Sequence, residues 1–131
     1  MILLDTHALV WLVAEPARLS RAATDAIRRA RSTGGLAIAS ITLWELAILF
    51  FRGHVRGHGT VDASIRQVVD AAQVSMREIT PVIAALSVQF PDDFPRDPAD
   101  RLIAATARAE GLTLVTRDER IRASTLVRTV W

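Results

Sequence analysis

Short apolar runs alternate along the chain with longer segments in which apolar residues recur at helical spacing. The short runs predict strands, and the periodic segments predict amphipathic helices. The predicted strands cover residues 2–4, 36–39, 74–79, 112–116 and 125–130. The predicted helices cover a segment around 9–13, residues 20–31, a segment that opens at Ser40 or Thr42 and stops at Gly53, and residues 61–73, 81–88, 98–110 and 119–121. This alternation predicts an α/β fold, in which helices flank a mostly parallel sheet of about five strands.

The length of the chain, 131 residues, fits a single domain over 1–131 and is too short for two independent cores. The opening apolar run lacks the basic residues of a targeting signal and contains Asp5 and His7. The longest apolar segment, residues 41–51, is too short to span a bilayer and contains Glu45. We therefore expect a soluble, cytoplasmic protein that has no membrane partner.

The amino-acid composition excludes several kinds of chemistry. The chain has no cysteine, lysine, tyrosine or asparagine, so all 16 of its basic residues are arginine. Without cysteine there is no disulfide, thiolate nucleophile or zinc-thiolate site, and without lysine there is no Schiff-base catalysis or P-loop. The pI near 10.8 reflects these missing titratable groups rather than strong basicity, because the formal net charge is only +2.

Four acidic residues fall where a parallel sheet would gather them. Asp5 follows the first predicted strand, and Asp118 lies two residues after the strand at 112–116. Glu45 and Asp100 lie in the first turns of predicted helices. Because helices in such a fold run antiparallel to the strands, these turns begin at the same edge of the sheet. We therefore expect the four carboxylates to converge at the carboxyl edge.

Each of these acids also has a purely structural interpretation. Acidic residues favour helix N-termini, where they cap free N–H groups and complement the helix dipole. On this interpretation Asp5, Asp97 and Asp118 are N-caps, residues 42–45 form a capping box, and Asp100 complements the dipole. Both interpretations remain open for each acid taken singly.

Capping does not explain the surroundings of Glu45 or the clustering of the acids. Glu45 has apolar neighbours on both sides in a helix expected to be buried nearly all round, where an unpaired carboxylate is costly. Clustered carboxylates raise one another's pKa unless a cation neutralises them, and no lysine is available. A hard divalent cation, Mg²⁺ or Mn²⁺, fits such a site and supports the hydrolysis of phosphodiesters.

Four sequence blocks give this pattern a recognisable form. They read DTH at 5–7, SITLWELA at 40–47, DPADRLIAATA at 97–107 and LVTRD at 114–118. Together, in this order and spacing, they resemble the PIN domain and specifically the VapC-type toxins of type II toxin-antitoxin pairs, over residues 1 to about 130. The resemblance implies a PIN-like three-layer sandwich and an endoribonuclease that depends on Mg²⁺ or Mn²⁺. It also implies an RNA substrate, a cognate VapB-type antitoxin and a homodimer.

The resemblance also assigns roles to residues of this chain. The catalytic, metal-coordinating acids that it implies are Asp5, Glu45, Asp100 and Asp118, with Glu45 supporting the ion or acting on a water as a base. Asp100 matches the third acid of the family because it directly precedes the RLIAATA stretch, whereas Asp97 is better placed as a cap with a supporting role. Thr6 and Thr116 would orient the carboxylates or a water on the metal, or else satisfy local backbone groups at the strand ends.

Three further features add candidate contacts. His54 and His58 are spaced like helical metal ligands, but three glycines between 53 and 59 predict a loop. In that loop Arg52 and Arg56 are candidates for contacts with RNA phosphates. A groove for an antitoxin segment would be lined by Trp11, Leu12, Phe50 and Phe51.

Two other functions remain compatible with the sequence. One is a housekeeping PIN nuclease of RNA processing, and the other is a receiver-like module that binds a metal or phosphate without catalysis. The absence of lysine counts against the second. With four acids assigned to a metal, the 16 arginines face ten other acids, a balance of +6 that suits an exterior able to follow a phosphate backbone.

Overall fold

The computed structural model describes all residues, Met1–Trp131, as a five-stranded parallel sheet between two layers of helices, which confirms the predicted fold class. The strands are β1 (Ile2–Leu4), β2 (Leu36–Ala39), β3 (Val74–Arg77), β4 (Thr113–Val115) and β5 (Thr129–Val130). The helices are α1 (Thr6–Ala14), α2 (Arg21–Thr33), α3 (Ile41–Phe51), α4 (Val61–Ala72), α5 (Pro81–Val88), α6 (Pro98–Glu110) and α7 (Glu119–Arg122), with a 3₁₀ helix over Pro16–Arg18. None of the helices is long and apolar enough to cross a membrane.

The order of the strands creates a crevice beside the central strand. The order is β3-β2-β1-β4-β5, so the chain builds outward from β1 on one side and then returns to build β4 and β5 on the other. Leu4, the last residue of β1, lies opposite Ile38 of β2 and Val115 of β4. In an open α/β sheet, ligands bind where the direction of building reverses, outside the carboxyl ends of the strands.

Apolar side chains from β1 supply both faces of the sheet. Leu3 and Leu4 are both fully buried, and they belong to two different apolar clusters because successive strand residues point to opposite faces. Leu4 packs in the cluster that contains Leu9 of α1 and Ile27 of α2. Leu3 packs in the cluster that contains Ile103 of α6. The sheet is therefore covered on both faces, and only its edges and ends remain open.

Two strands are shorter than the sequence predicts. The predicted strand at 74–79 ends at Arg77, because its partner β2 ends at Ala39, directly opposite Arg77. The predicted final strand at 125–130 is reduced to Thr129–Val130. Residues 125–127 form a turn, at the start of which the Ser124 hydroxyl accepts a hydrogen bond from the Leu126 amide at 3.2 Å, and contact with β4 resumes at Arg128, whose carbonyl accepts from the Leu114 amide at 2.8 Å.

Two expectations about α3 are wrong. The helix begins at Ile41, one residue before the proposed capping box, so Thr42 is a fully buried helical residue rather than an N-cap. The helix is also not buried all round, because the side chains of Trp44 and Phe51 are 58% and 83% exposed. The continuous apolar sequence of α3 thus covers the core on one side and leaves an apolar surface on the other.

Candidate active site

A cleft of about 1020 Å³ lies at the carboxyl edge of the sheet, beside the ends of β1 and β4. It is lined by all five acids singled out from the sequence and by two more. These acids are Asp5, Glu15, Glu45, Asp97, Asp100, Asp118 and Glu119. The topology therefore brings together residues that are up to 114 positions apart in the chain.

The pairing of β1 with β4 places Asp5 next to Thr116. Leu4 and Val115 are partners in the sheet, and each is followed by one of these two site residues. The amide of Asp5 donates to the Val115 carbonyl at 3.1 Å, and Thr116, which is fully buried, hydrogen-bonds the Asp5 carboxylate. The Thr116 hydroxyl also accepts from the Asp118 amide at 3.1 Å. Thr116 thus links two of the acids at the end of the sheet.

Three of the acids are N-caps, as the structural interpretation predicts. Asp5 Oδ1 accepts from the Ala8 amide at 2.8 Å, Asp97 Oδ1 from Ala99 at 2.8 Å and Asp118 Oδ1 from Arg120 at 2.9 Å. A carboxylate has two oxygens, and these capping bonds all involve Oδ1. Oδ2 of each residue is therefore free of the cap, so capping and cation binding are compatible in the same side chain.

Glu45 is held by two buried threonines. The Thr6 hydroxyl donates to Glu45 Oε1 at 2.6 Å and lies 3.1 Å from the Thr42 hydroxyl. Both threonines are at most 3% exposed. Thr6 comes directly after the end of β1, and Thr42 and Glu45 lie on the first turns of α3. The Thr6 hydroxyl, itself in contact with Thr42, thus anchors the glutamate near the end of β1, and Asp5 is the residue before Thr6.

The segment that carries Asp97 and Asp100 is held by a single arginine. Arg101 reaches back from α6 and donates from Nε to the Pro95 carbonyl at 2.8 Å. Its terminal nitrogens donate to the carbonyls of Phe90 at 3.3 Å, Pro91 at 3.4 Å, Ser87 at 3.5 Å and Phe94 at 3.5 Å. Arg101 has no carboxylate partner, so its charge organises the loop that leads into α6.

Burial, assisted by the charges of neighbouring carboxylates, holds the pKa of three acids in the cleft above the ordinary range. Burial, with the negative charges of Asp97 and Glu45 next in importance, raises the pKa of Asp100 from 3.8 to about 7. Burial also raises the pKa of Glu45, against the opposing hydrogen bond from Thr6, with Asp97 adding to the rise. Burial raises the pKa of Asp5 as well, although Thr116 and the Ala8 amide favour its charged form. The cleft therefore contains more negative charge than its own residues neutralise.

The donor set suits a hard divalent cation. The facing groups are carboxylate oxygens, which Mg²⁺ and Mn²⁺ prefer, and the chain has no lysine to replace such an ion. No three acidic or histidine side chains already form a closed ligand group. Magnesium keeps several waters and is bound through few carboxylates, so a partly open arrangement of this kind fits it.

Three arginines also line the cleft, namely Arg18, Arg56 and Arg117. Only Arg18 forms an ion pair, with Glu15 at 3.5 Å, and both side chains of this pair are about half exposed. The arginines therefore do not neutralise the acids at the end of the sheet.

The arginines and histidines of the loop between α3 and α4 are close in the sequence but lie at different places in the structure. Arg56 and His54 line the cleft, whereas Arg52, the last residue of the α3 cap, does not. His58 lines a different, smaller cavity. The two histidines lie in a loop, as the glycines predict, and they form no metal-binding group.

Sequence reasoning missed the part of the cleft that surrounds Trp11. This ring is only 8% exposed and belongs to the core, with the rings of Trp131 and His7 at 5.6 and 5.8 Å. The guanidinium carbons of Arg18 and Arg117 lie 4.6 and 5.9 Å from its centroid. Arg117 and Trp131 lie more than 100 positions from Trp11 in the chain, and although Arg117 and His7 belong to the LVTRD and DTH blocks, those blocks do not indicate a contact with this ring.

Comparison with known proteins agrees with the geometry. Residues 2–124 match the PIN domain. Ribonuclease VapC22 of Mycobacterium tuberculosis is 44% identical to this chain, and the match covers 99% of this chain and 98% of the relative. This finding confirms the family resemblance of the four sequence blocks, and it counts against the receiver-like alternative.

Solved structures share the fold. VapBC2 of Rickettsia felis, bound to a DNA fragment from its promoter, contains a chain with a TM-score of 0.72 at 17% identity, covering 98% of this chain and 97% of that one. A toxin-antitoxin complex from Klebsiella pneumoniae contains one with a TM-score of 0.67 at 24% identity, covering 95% and 92%. With the family match and the close relative, the chain belongs to the PIN-domain family, in its VapC ribonuclease branch.

Proposed function

We propose that this protein is a Mg²⁺-dependent endoribonuclease that hydrolyses RNA phosphodiesters in the cytoplasm, and that it acts as a toxin neutralised by a VapB-type antitoxin. The observation that carries the proposal is the cleft at the end of β1 and β4, which gathers carboxylates that have no basic partner and whose pKa values are raised by burial and by one another's charge. PIN-domain nucleases are generally metal-dependent, and VapC22, the relative that shares nearly the whole chain, is a ribonuclease.

The acids at the sheet edge are the proposed cation ligands. Asp5, Asp100 and Asp118 would hold Mg²⁺, with Glu45 beside them, and Mn²⁺ would replace it because it prefers the same oxygen ligands. When bound, the ion supplies positive charge that stabilises the additional negative charge on the phosphate in the transition state. Thr116 keeps Asp5 and Asp118 in place through hydrogen bonds to both residues.

Glu45 is the proposed general base. Burial raises the pKa of this carboxylate toward the operating pH, which favours a group that accepts a proton from an attacking water. The Thr6 hydroxyl occupies Oε1 at 2.6 Å, so Oε2 is the oxygen left to take the proton. Asp97 supports the site by capping α6, and its negative charge adds to the rise in the pKa of Glu45 and Asp100. Arg56, and Arg52 further out, would contact the RNA backbone.

An RNA-cleavage assay tests this proposal. Purified protein is incubated with end-labelled RNA in Mg²⁺ or in EDTA, together with the variants Asp5→Asn and Asp70→Asn. Asparagine caps a helix as well as aspartate does, so Asp5→Asn removes the charge but keeps the cap. We expect cleavage only in Mg²⁺, its loss in Asp5→Asn, and full cleavage in Asp70→Asn, which lies on α4 outside the cleft. Cleavage in EDTA, or none in Mg²⁺, would refute the proposal.

A second cavity supports an antitoxin partner. This mostly apolar cavity of about 330 Å³ lies between α1, α4 and the loop at 53–59, and it shares Val10, Ala14, Val55 and Arg56 with the acidic cleft. A partner segment with an apolar anchor here and a basic residue over the carboxylates would block the cleft. Of the residues that the sequence suggests for an antitoxin groove, Phe50 lines this cavity and Trp11 lines the acidic cleft, whereas Leu12 and Phe51 line neither.

The antitoxin surface can be tested apart from catalysis. Val13 lines the apolar cavity but not the acidic cleft. We expect Val13→Glu to cleave RNA at the parental rate and to escape inhibition by the co-expressed antitoxin by at least tenfold in antitoxin concentration. Inhibition equal to that of the parent would exclude this cavity as the docking surface.

Exposed apolar residues on α3 and α5 support a homodimer. Trp44 and Phe51 on α3 face solvent, as do Val82 and Val88 on α5, and both helices pack against α6. Apolar surface of this kind is typical of protein interfaces. We expect a dimeric mass by light scattering and a monomeric mass for Trp44→Arg. A parental protein that stays monomeric at high concentration would contradict the dimer.

A further inference from the structure

We propose that Arg18 and Arg117, held over the ring of Trp11, form a subsite for an RNA phosphate next to the one that is cleaved. This inference rests on the proposed ribonuclease function, and it names the part of the substrate that the arginine-bearing part of the cleft would bind. The two arginines come from the 3₁₀ helix after α1 and from the segment after β4. They share one aromatic ring inside the same cleft as the acids.

The indole ring fixes both guanidinium groups. The guanidinium carbon of Arg18 lies 4.6 Å from the Trp11 centroid and that of Arg117 lies 5.9 Å from it, both within range of cation–π attraction. The ring itself is rigid, because it is packed in the core and contacted by Trp131 and His7. An arginine that is already oriented loses less side-chain entropy when it binds a ligand.

The side chain of Arg117 points away from the side chains of its two neighbours in the chain, Thr116 and Asp118. Thr116 is buried and Asp118 caps α7, so their side chains face the interior and the helix. Residues that alternate in an extended segment point to opposite sides, and Arg117 therefore projects toward Trp11. No carboxylate oxygen lies within 4.0 Å of its guanidinium, although Glu119 lines the same cleft. Its donors are thus available for a ligand.

The guanidinium group of Arg18 is only weakly held by its carboxylate partner. Its pairing with Glu15 spans 3.5 Å between half-exposed side chains, a type of ion pair that contributes little. The fork of guanidinium donors matches the oxygens of a phosphate, which it binds through two parallel hydrogen bonds.

A phosphate, rather than a base, is the ligand that this geometry selects. Trp11 is 8% exposed, so it cannot offer a face on which a base would stack. What its surroundings present to the cleft are the guanidinium groups of Arg18 and Arg117, each within cation–π range of the ring. The acids at the sheet end would bind the cation at the scissile phosphate, and the arginines would take a neighbouring phosphate. An RNA strand crossing the cleft therefore meets both kinds of site.

The experiment compares Arg18→Gln and Arg117→Gln with the parent and with Arg29→Gln, an exposed arginine on α2 outside the cleft. Cleavage of a single-stranded RNA gives KM and kcat, and fluorescence anisotropy with labelled oligouridylate in EDTA gives binding without cleavage. We expect each cleft variant to raise KM and Kd by about tenfold, with kcat within about twofold of the parent. The slope of log KM against log salt falls by about 0.7 for each lost contact. Arg117→Lys restores part of the binding.

A chemically altered substrate locates the contact. Replacing one phosphate beside the cleavage site by an uncharged methylphosphonate raises KM for the parent, and the same replacement adds nothing further in Arg117→Gln. The subsite is refuted if both cleft variants bind and cleave RNA like Arg29→Gln. It is also refuted if the methylphosphonate and Arg117→Gln raise KM independently of each other at every phosphate position. In either case the ribonuclease proposal stands. If the parent fails to cleave RNA, the ribonuclease proposal fails, and the binding series in EDTA still decides whether these arginines hold phosphate.

Discussion

Replacing Asp100 by asparagine measures how strongly the clustered charge in the cleft opposes folding. Burial and the neighbouring carboxylates raise the pKa of Asp100 to about 7, so in the metal-free protein its ionised form is unfavourable near neutral pH. Asparagine has the same size and no charge. We therefore expect Asp100→Asn to abolish RNA cleavage and at the same time to stabilise the metal-free protein at pH 8.

The magnitude follows from the difference in pKa. A rise in the pKa of Asp100 from 3.8 to about 7 corresponds to a loss of about 4 kcal/mol in the free energy of unfolding when the carboxylate is ionised and fully removed from solvent. Because Asp100 is only half-buried, solvent screens part of the repulsion, and we expect a gain of about 1–2 kcal/mol. A raised pKa means that the folded protein binds more protons than the unfolded chain between pH 3.8 and about 7. The destabilisation of the folded protein by ionised Asp100 is therefore fully present above pH 7 and disappears as the pH falls toward 4.

Urea denaturation in EDTA at pH 8 and at pH 4 provides the assay. The variant should be more stable than the parent at pH 8 and equal to it at pH 4, and Asp70→Asn, an exposed acid outside the cleft, should match the parent at both. Saturating Mg²⁺ should raise the stability of the parent and leave Asp100→Asn much less affected. A loss of stability in Asp100→Asn at pH 8 would refute the reasoning, because it would make Asp100 a structural residue.

Three further predictions concern residues that support the active site or line the neighbouring apolar cavity. Arg101→Gln leaves several loop carbonyls without their charged donor, and we expect the free energy of unfolding, measured in urea, to fall by about 2–3 kcal/mol. An unchanged urea midpoint would contradict this expectation. Thr42→Val removes the hydroxyl beside Thr6, and we expect kcat to fall by about tenfold and the pH profile to move, with a melting temperature within a few degrees of the parent. Gly57→Ala places a Cβ against Ser64, and we expect a loss of about 1–3 kcal/mol that Ser64→Ala partly restores.

The positions of the acids at the strand ends could be predicted from the sequence. Asp5 and Asp118 follow apolar strands, and the rule that ligands bind at the carboxyl edge needs only the ends of those strands. The N-caps at Asp5, Asp97 and Asp118 were equally predictable, because each precedes a helical segment. Capping, however, did not by itself decide whether the same side chains face a cleft.

Residues defined by long-range contacts could not be predicted. Thr42 matches a capping box, but α3 begins two residues earlier than such a box requires, and the hydroxyl meets Thr6 instead, which lies 36 residues away. Arg117 reaches the ring of Trp11, which Arg18 also contacts, only because β4 lies next to β1. No local propensity or spacing encodes contacts of this kind.

The most direct test of the account records RNA cleavage and melting temperature on the same samples across a Mg²⁺ titration, for the parent and for Asp5→Asn. The account predicts that both quantities rise over the same Mg²⁺ range in the parent, and that neither rises in Asp5→Asn, although this variant folds and keeps its cap. Cleavage by the parent in EDTA, or a response of Asp5→Asn equal to that of the parent, would contradict it.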